Sequence, residues 1–169
     1  MDADPNVRIR KAVPSDAAAF ETFMLSAWRE AGPDAPGFTG ASEEVIADLA
    51  TPETFTASVA GPVRAMLLAR IAGHVVGFVA TRWVDESTAE ITGLIVHPCN
   101  AGQGIGTALV ERAIGALDPR LLESVVVRTE VDNHRAIAFY ERLGFRPSGA
   151  TTEDVAGDAV ELCELVMSV

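Results

Sequence analysis

The sequence predicts a mixed α/β domain: a central sheet of about seven strands flanked by about four helices. Two observations carry this. Apolar alternation, helical periodicity and turn residues divide the chain in the order β-α-α-β-β-β-α-β-α-β-β. That order suits a mixed sheet and suits poorly a doubly wound one, where strands and helices alternate throughout. The second observation is a junction. Ile91, Leu94, Ile95 and Val96 form an apolar strand that breaks at His97-Pro98, passes through the turn Gly102-Gln103-Gly104-Ile105-Gly106, and enters a helix at about Thr107.

The elements follow in order. Residues 7–11 alternate and open as a strand. Pro14-Ser15-Asp16 starts a helix that Ser15 caps, with Phe20, Phe23, Met24 and Ala27 on one face. Residues 32–40 contain Pro33 and Pro36 and form a loop. A second helix begins at Ser42 and runs to about Ala50. Residues 65–71 and 74–83 are strands joined by the turn Ala72-Gly73. Asp85-Glu86-Ser87 turns the chain into the strand that holds Glu90. After the helix over 107–117 come a strand at 124–129, a helix at 133–143, and strands at 145–150 and 160–167. Asn133 is the expected N-cap and Gly144 the C-terminal glycine of the helix between them.

Composition narrows the function. With 169 residues and 49% hydrophobic content, the simplest organisation is one domain over 1–169 with one core. The net charge of −11 argues against a nucleic-acid partner, which requires a basic patch. An acidic surface can steer cationic acceptors, although a solvated acidic face is also ordinary. No apolar run approaches the roughly 20 residues of a membrane helix, so no membrane partner is expected. Residues 1–5 lack the basic and apolar regions of a signal peptide, which makes a cytoplasmic location the expectation. Cys99 and Cys163 do not form a disulfide framework, and no Cys/His cluster has metal spacing.

Strand, glycine turn and helix together point to a phosphate-bearing ligand. Glycines let the backbone approach an anion, and the free N–H groups at the helix start point at it. The P-loop reading fails because Gly106-Thr107 lacks the required lysine, Lys11 being the only lysine in the chain. The dinucleotide fingerprint needs G-x-G-x-x-G, whereas the spacing here is G-x-G-x-G. Glu130, 24 residues past Gly106, mimics its acidic partner and leaves that alternative weakened but open.

A second segment favours another ligand. Val96-x-Pro98 followed by the glycine turn and Thr107, and then Asn133-x-x-Ala136-x-x-Phe139-Tyr140-Glu141-Arg142-Leu143-Gly144-Phe145, resembles the GCN5-related N-acetyltransferase superfamily over about residues 89–145. The resemblance implies the acyl-CoA N-acyltransferase fold, and acetyl-coenzyme A as cosubstrate with no metal. It implies a homodimer as one common arrangement. It also implies roles. Leu94, Ile95 and Val96 would offer backbone groups to the pantetheine arm, with a backbone N–H near Ile95 as the oxyanion donor. Gly102, Gln103, Gly104, Ile105, Gly106 and Thr107 would hold the pyrophosphate, and Asn133 would hydrogen-bond the pantetheine. Tyr140 would protonate the departing thiolate, a phenol of pKa near 10 suiting that task. Glu90, in an Ala-Glu-Ile setting like that of histone-type members, would be the base, with a pKa raised by its apolar neighbours. An exposed strand-edge charge or an ion pair with Arg82 is the alternative for Glu90, and a water chain the alternative base.

One position departs from the family pattern. Aligned on Gly104 and Gly106, the Gln/Arg of the family is Ala101, which removes a side-chain contact to the pyrophosphate. Arg135 and Arg142 read as a solvated helix face, His74 and His134 as surface groups, and Cys99 as inert despite nearby His97. The reading is therefore N-acetylation of a primary amine of a small molecule. A protein or peptide acetyltransferase and a non-catalytic coenzyme A-binding module are the alternatives, the latter resting on Ala101.

Overall fold

The structure is a computed structural model that describes residues 6–32, 35, 42–60, 64–155 and 157–169. Apart from Gly32 and Ala35, the loop expected over 32–40 lies outside the described residues, as does the segment 1–5. The strands are β1 (Arg8–Lys11), β2 (Arg64–Ile71), β3 (His74–Trp83), β4 (Thr88–Val96), β5 (Ser124–Glu130), β6 (Arg146–Val155) and β7 (Asp158–Ser168). The α-helices are α1 (Ala17–Ala31), α2 (Glu43–Leu49), α3 (Pro52–Val59), α4 (Ile105–Gly115) and α5 (His134–Arg142). The sheet order is β1-β2-β3-β4-β5-β7-β6. β4 and β5 are parallel, while β1 with β2, β5 with β7, and β6 with β7 are antiparallel. This is the mixed sheet that the element order predicts.

The chain divides into two compact units, Met1–Thr81 with Gly93–Ala116, and Arg82–Thr92 with Leu117–Val169. In the first, α1 buries Phe20, Phe23, Met24 and Ala27, a stripe at helical spacing. The Phe20 ring lies 4.9 Å from that of Phe55 on α3 and 5.1 Å from that of Phe78 on β3. Ile46 of α2 and Leu68 of β2 complete this core. In the second unit, Val125 and Val127 of β5, Leu165 of β7 and Phe145 are buried.

Four local expectations are corrected. Ser15 does not cap α1. A short 3₁₀ turn, Pro14–Asp16, precedes the helix, and the Asp16 carboxylate accepts the Val13 N–H at 2.9 Å. A carboxylate one residue on captures the free donor because it also binds Arg10 and Arg70. Secondly, α3 is a helix the periodicity did not reveal. Thr51 caps it by accepting the Thr54 N–H, and Pro52 takes its first position. Thirdly, α4 begins at Ile105, so Gly106 and Thr107 belong to its first turn. The strand expected at 145–150 extends to Val155 because β7 pairs with it along that length.

Candidate functional site

In the first unit the predicted site residues are main-chain features. The parallel ladder between β4 and β5 pairs Thr88–Ile91 with Ser124–Val127 and goes no further, although β4 runs on to Val96. Leu94, Ile95 and Val96 are half-buried and carry no β5 partner in register. Gly77 fixes their position. A Cβ there would lie 3.1 Å from the Ile95 carbonyl oxygen and 3.2 Å from a Leu109 methyl on α4, so only glycine lets these elements meet so closely. Nothing in the strand pattern of β3 marks Gly77 beyond a glycine in a strand, which signals a close approach of backbone.

β4 ends in a turn held by His97. Its Nδ1 accepts the backbone N–H of Cys99, so the neutral ring carries its proton on Nε2 and donates to Ser26 Oγ at 3.0 Å. This tautomer makes His97 a turn anchor. It serves neither the Cys99 thiol, which is exposed, nor Ser26 as a base. Ala101 then leads to Gly102 and Gly104, with φ of 76° and 75°, in the left-handed region that L side chains avoid. Gly104 is the N-cap of α4 and brings no side chain to the cap. The first helical bond runs from the Ala108 N–H to the Gly104 carbonyl, leaving the N–H groups of Ile105, Gly106 and Thr107 free of helical partners. A side-chain cap would have consumed one of them. Gln103 and Ala101 are exposed beside this turn.

In the second unit the predicted site residues are side chains. Glu90 is buried, but its neighbours are not only apolar. Oε2 accepts Arg82 Nε at 2.6 Å, and Oε1 accepts Arg128 Nη1 at 2.8 Å. The Arg82 pairing foreseen as the alternative is present, and a second arginine adds to it. Both oxygens are committed to guanidinium groups. Arg128 in turn pairs through Nε and Nη2 with Glu164 of β7, and Ser148 Oγ donates to Glu164 Oε1. The result is an alternating ladder across the strands, Arg82–Glu90–Arg128–Glu164.

Tyr140 is set by the end of α5. Gly144, at φ 97°, bonds back to the Glu141 carbonyl, and the Phe145 N–H bonds to the Tyr140 carbonyl. These are the paired bonds of a glycine-terminated helix, with the expected apolar contact between Phe145 and Tyr140, whose ring centroids lie 5.4 Å apart. The Phe139 ring packs edge-on against the other side. Among the described residues the hydroxyl has no protein partner. Burial pushes the phenol well above its ordinary value near 10. The proton therefore stays on oxygen across the physiological range, and the group is a permanent hydrogen-bond donor. Asn133 caps α5, its Oδ1 accepting the Ala136 N–H at 3.1 Å, which leaves its amide N–H groups free to donate elsewhere. Arg135, Arg142, His74 and His134 are exposed. No group of three His, Cys, Asp or Glu side chains among the described residues is placed to hold a metal.

A sequence model described as the acetyltransferase (GNAT) family matches residues 25–145. The chain belongs to that family. Its relatives include an uncharacterized N-acetyltransferase of Methanocaldococcus jannaschii, 42% identical over a stretch covering 43% of this chain and 35% of the relative. A mycothiol acetyltransferase of Beutenbergia cavernae is 41% identical over 40% of this chain and 24% of its own length. The matched stretches thus span about a quarter to a third of these relatives. The fold is shared across its length with a PaiA N-acetyltransferase from Thermoplasma acidophilum solved in complex with coenzyme A. The TM-score is 0.73 at 17% identity, over 96% of this chain and 99% of that one. GNAT membership turns the glycine turn and the end of β4 beyond its β5 pairing into the coenzyme-binding candidates of the chain.

Proposed function

We propose that this chain is an acetyl-coenzyme A-dependent N-acetyltransferase that acts on a primary amine of a small molecule. The observation that carries the reading is the uncapped start of α4, reached through two left-handed glycines. Three main-chain N–H groups there suit a pyrophosphate. The backbone of Leu94, Ile95 and Val96, which has no β5 partner in register, suits the amides of pantetheine, in the manner of an added strand. Mycothiol acetyltransferase among the relatives supports a small-molecule acceptor.

In this reading the ammonium of the acceptor first gives a proton to solvent. The amine nitrogen attacks the thioester carbonyl, a C–N bond forms, and a main-chain N–H near Ile95 stabilises the oxyanion. The C–S bond then breaks, the nitrogen releases its second proton, and coenzyme A leaves as the thiol. We assign the base to water because both oxygens of Glu90 are held by arginines. We assign Tyr140 to the leaving sulfur. Its raised pKa makes full proton transfer harder, so its main contribution is the hydrogen bond it donates as negative charge gathers there.

Calorimetric titration with acetyl-coenzyme A, with desulfo-coenzyme A as control, tests the ligand. Micromolar binding supports the reading. No binding at millimolar ligand overturns it and means that the fold has been kept without its cofactor. Thiol release with an amine panel then separates the enzyme from a non-catalytic coenzyme A-binding module. Tyr140→Phe should lower kcat at least about tenfold with little change in KM for acetyl-coenzyme A. An unchanged kcat removes Tyr140 from the reaction.

A further inference from the structure

We infer that His97 is a positioning residue for the coenzyme: its Nδ1 atom, through the Cys99 N–H, sets the glycine turn in the form that receives the pyrophosphate. This rests on the coenzyme reading above and lies wholly within the first unit.

His97 uses every hydrogen-bonding group it has. Its backbone N–H donates to the Val76 carbonyl of β3 at 2.8 Å, and its carbonyl accepts the Asn100 N–H at 2.8 Å. Nδ1 accepts the Cys99 N–H at 3.2 Å, and Nε2 donates to Ser26 Oγ of α1 at 3.0 Å. The ring also lies beside that of Phe23, with centroids 6.4 Å apart. Helix α1, strand β3 and the turn thus meet at one half-buried residue.

The turn has few other restraints. Three hydrogen bonds hold its start: Cys99 N–H to His97 Nδ1, Asn100 N–H to the His97 carbonyl, and Ala101 N–H to the Pro98 carbonyl at 3.1 Å. Two of the three end on His97. Among the described residues, no main-chain N–H from Gly102 to Thr107 then donates to a carbonyl, and the ladder resumes only at Ala108. Gly102 and Gly104 lie in that gap and have the widest conformational freedom of any residue. A Cβ on Gly102 would meet nothing within 4 Å, so packing does not hold the chain there. Its course is set by the direction in which it leaves residues 97–101.

A ring nitrogen suits this task. Pro98 has no N–H, so Cys99 brings the first free donor after β4. Nδ1 lies as many bonds from Cβ as the Oδ1 of asparagine, whose side chain accepts from the N–H two residues on in an Asx-turn. Acceptance requires Nδ1 to be without a proton. The bond from Nε2 to Ser26 holds the proton on the other nitrogen, so a hydroxyl on α1 selects the tautomer that the turn needs.

Two variants separate the acceptor from the ring. His97→Asn keeps an acceptor for the Cys99 N–H and loses the contacts with Ser26 and Phe23. His97→Ala loses all three. Melting temperatures should fall for both, since both lose the ring. In calorimetric titration with acetyl-coenzyme A, His97→Ala should bind about tenfold more weakly than wild type and His97→Asn within about threefold of it, the size expected for losing or keeping a capping acceptor. Ser26→Ala, which keeps Nδ1, should weaken binding less than His97→Ala. Nitrogen NMR of the imidazole in the wild type should show the proton on Nε2, a readout that stands even if a variant does not fold. Wild-type affinity in a destabilised His97→Ala makes His97 a packing residue and overturns the inference. So does His97→Asn binding as weakly as His97→Ala, or a neutral ring with its proton on Nδ1. In each of these cases the wild type still binds, and the coenzyme reading survives. A wild type that binds no acetyl-coenzyme A at millimolar ligand overturns that reading, and this inference with it. Circular dichroism confirms that the compared variants are folded.

Discussion

The two units hold their chemistry in different parts of the chain. In the first, the candidate site is main chain: the turn at Gly102 and Gly104, the free N–H groups of α4 and the end of β4 beyond its β5 pairing. In the second it is side chain: the Arg82–Glu90–Arg128–Glu164 ladder and Tyr140. The contrast is clearest in a pair of motifs alike in composition. Each unit buries one carboxylate between two arginines. Asp16 is held by Arg10 at 2.6 Å and Arg70 at 2.8 Å, and Glu90 by Arg82 and Arg128. Asp16 also accepts the Val13 N–H, and Arg70 donates to the Gly73 carbonyl, so that cluster closes on backbone around it. It ties the entry of α1 to β1 and β2. The Glu90 cluster instead closes on further side chains, Arg128, Glu164 and Ser148. A buried carboxylate can thus tie backbone segments together or link side chains across strands, depending on where its partners spend their remaining donors.

The largest expected effect is at Asp16. Asp16→Asn should cost about 2–3 kcal/mol of stability. That is less than the roughly 3–5 kcal/mol for breaking a fully buried pair, because Arg10 reaches solvent. Acetyl transfer per folded molecule should not change. The same carboxylate sets an acid limit. The Arg10 hydrogen bond, the Val13 N–H and the charges of Arg10 and Arg70 hold its pKa below the usual 3.8. The unfolded chain then binds the proton more tightly than the folded one. This stabilisation is complete above the unfolded value and is lost as pH falls from about 4 through the folded value. Urea titrations of wild type and Asp16→Asn between pH 3 and 6 should converge at the acid end. Parallel curves would mean that Asp16 is not a pin.

Glu90→Gln comes next and tests the other half of the contrast. Stability should fall by about 1–2 kcal/mol, since Arg128 keeps Glu164 and Arg82 is close to half-exposed. If the carboxylate only anchors its arginines, kcat should change less than about tenfold. Loss of a general base costs roughly 10²–10⁴-fold. A fall of that size, with the loss of an acidic limb from the pH–rate profile, would make Glu90 the base and dismantle the reading of it as an anchor.

Much of this fold could be read from residues close together in sequence. β3 runs His74–Trp83 as its alternation predicts, and Asn133 and Gly144 bound α5 as cap chemistry predicts. Arg82 is eight residues from Glu90 across a hairpin, so its pairing could be foreseen. Arg128 is 38 residues away, and only the parallel register of β4 with β5 brings it to Glu90. Nothing local encodes that register, which is why the Glu90 carboxylate was expected to be far less committed than it is. α3 escaped notice for a different reason. Its eight residues, PETFTASV, contain two threonines and a valine of modest helix propensity, and only Phe55 and Val59 are buried. The cap Thr51-Pro52 was its one local sign.

The smallest expected effect falls on the main-chain side, at Gly77. If the first unit contributes shape rather than charge, a single methyl group should be enough to disturb it. Gly77→Ala would set a Cβ 3.1 Å from the Ile95 carbonyl oxygen and 3.2 Å from the Leu109 methyl. Each neighbour must yield by a few tenths of an ångström. The Leu109 side chain can shift, but Ile95 moves only with the strand. Overpacking of this kind costs about 1 kcal/mol of stability. The sharper expectation is for the ligand: calorimetry should show acetyl-coenzyme A binding a few-fold weaker, with its dependence on salt unchanged because no charge has moved. Thermal melts give the stability term separately. A loss of stability with wild-type affinity would mean that the Ile95 backbone lies outside the coenzyme contacts, and the main-chain site would then reduce to the glycine turn and the first turn of α4.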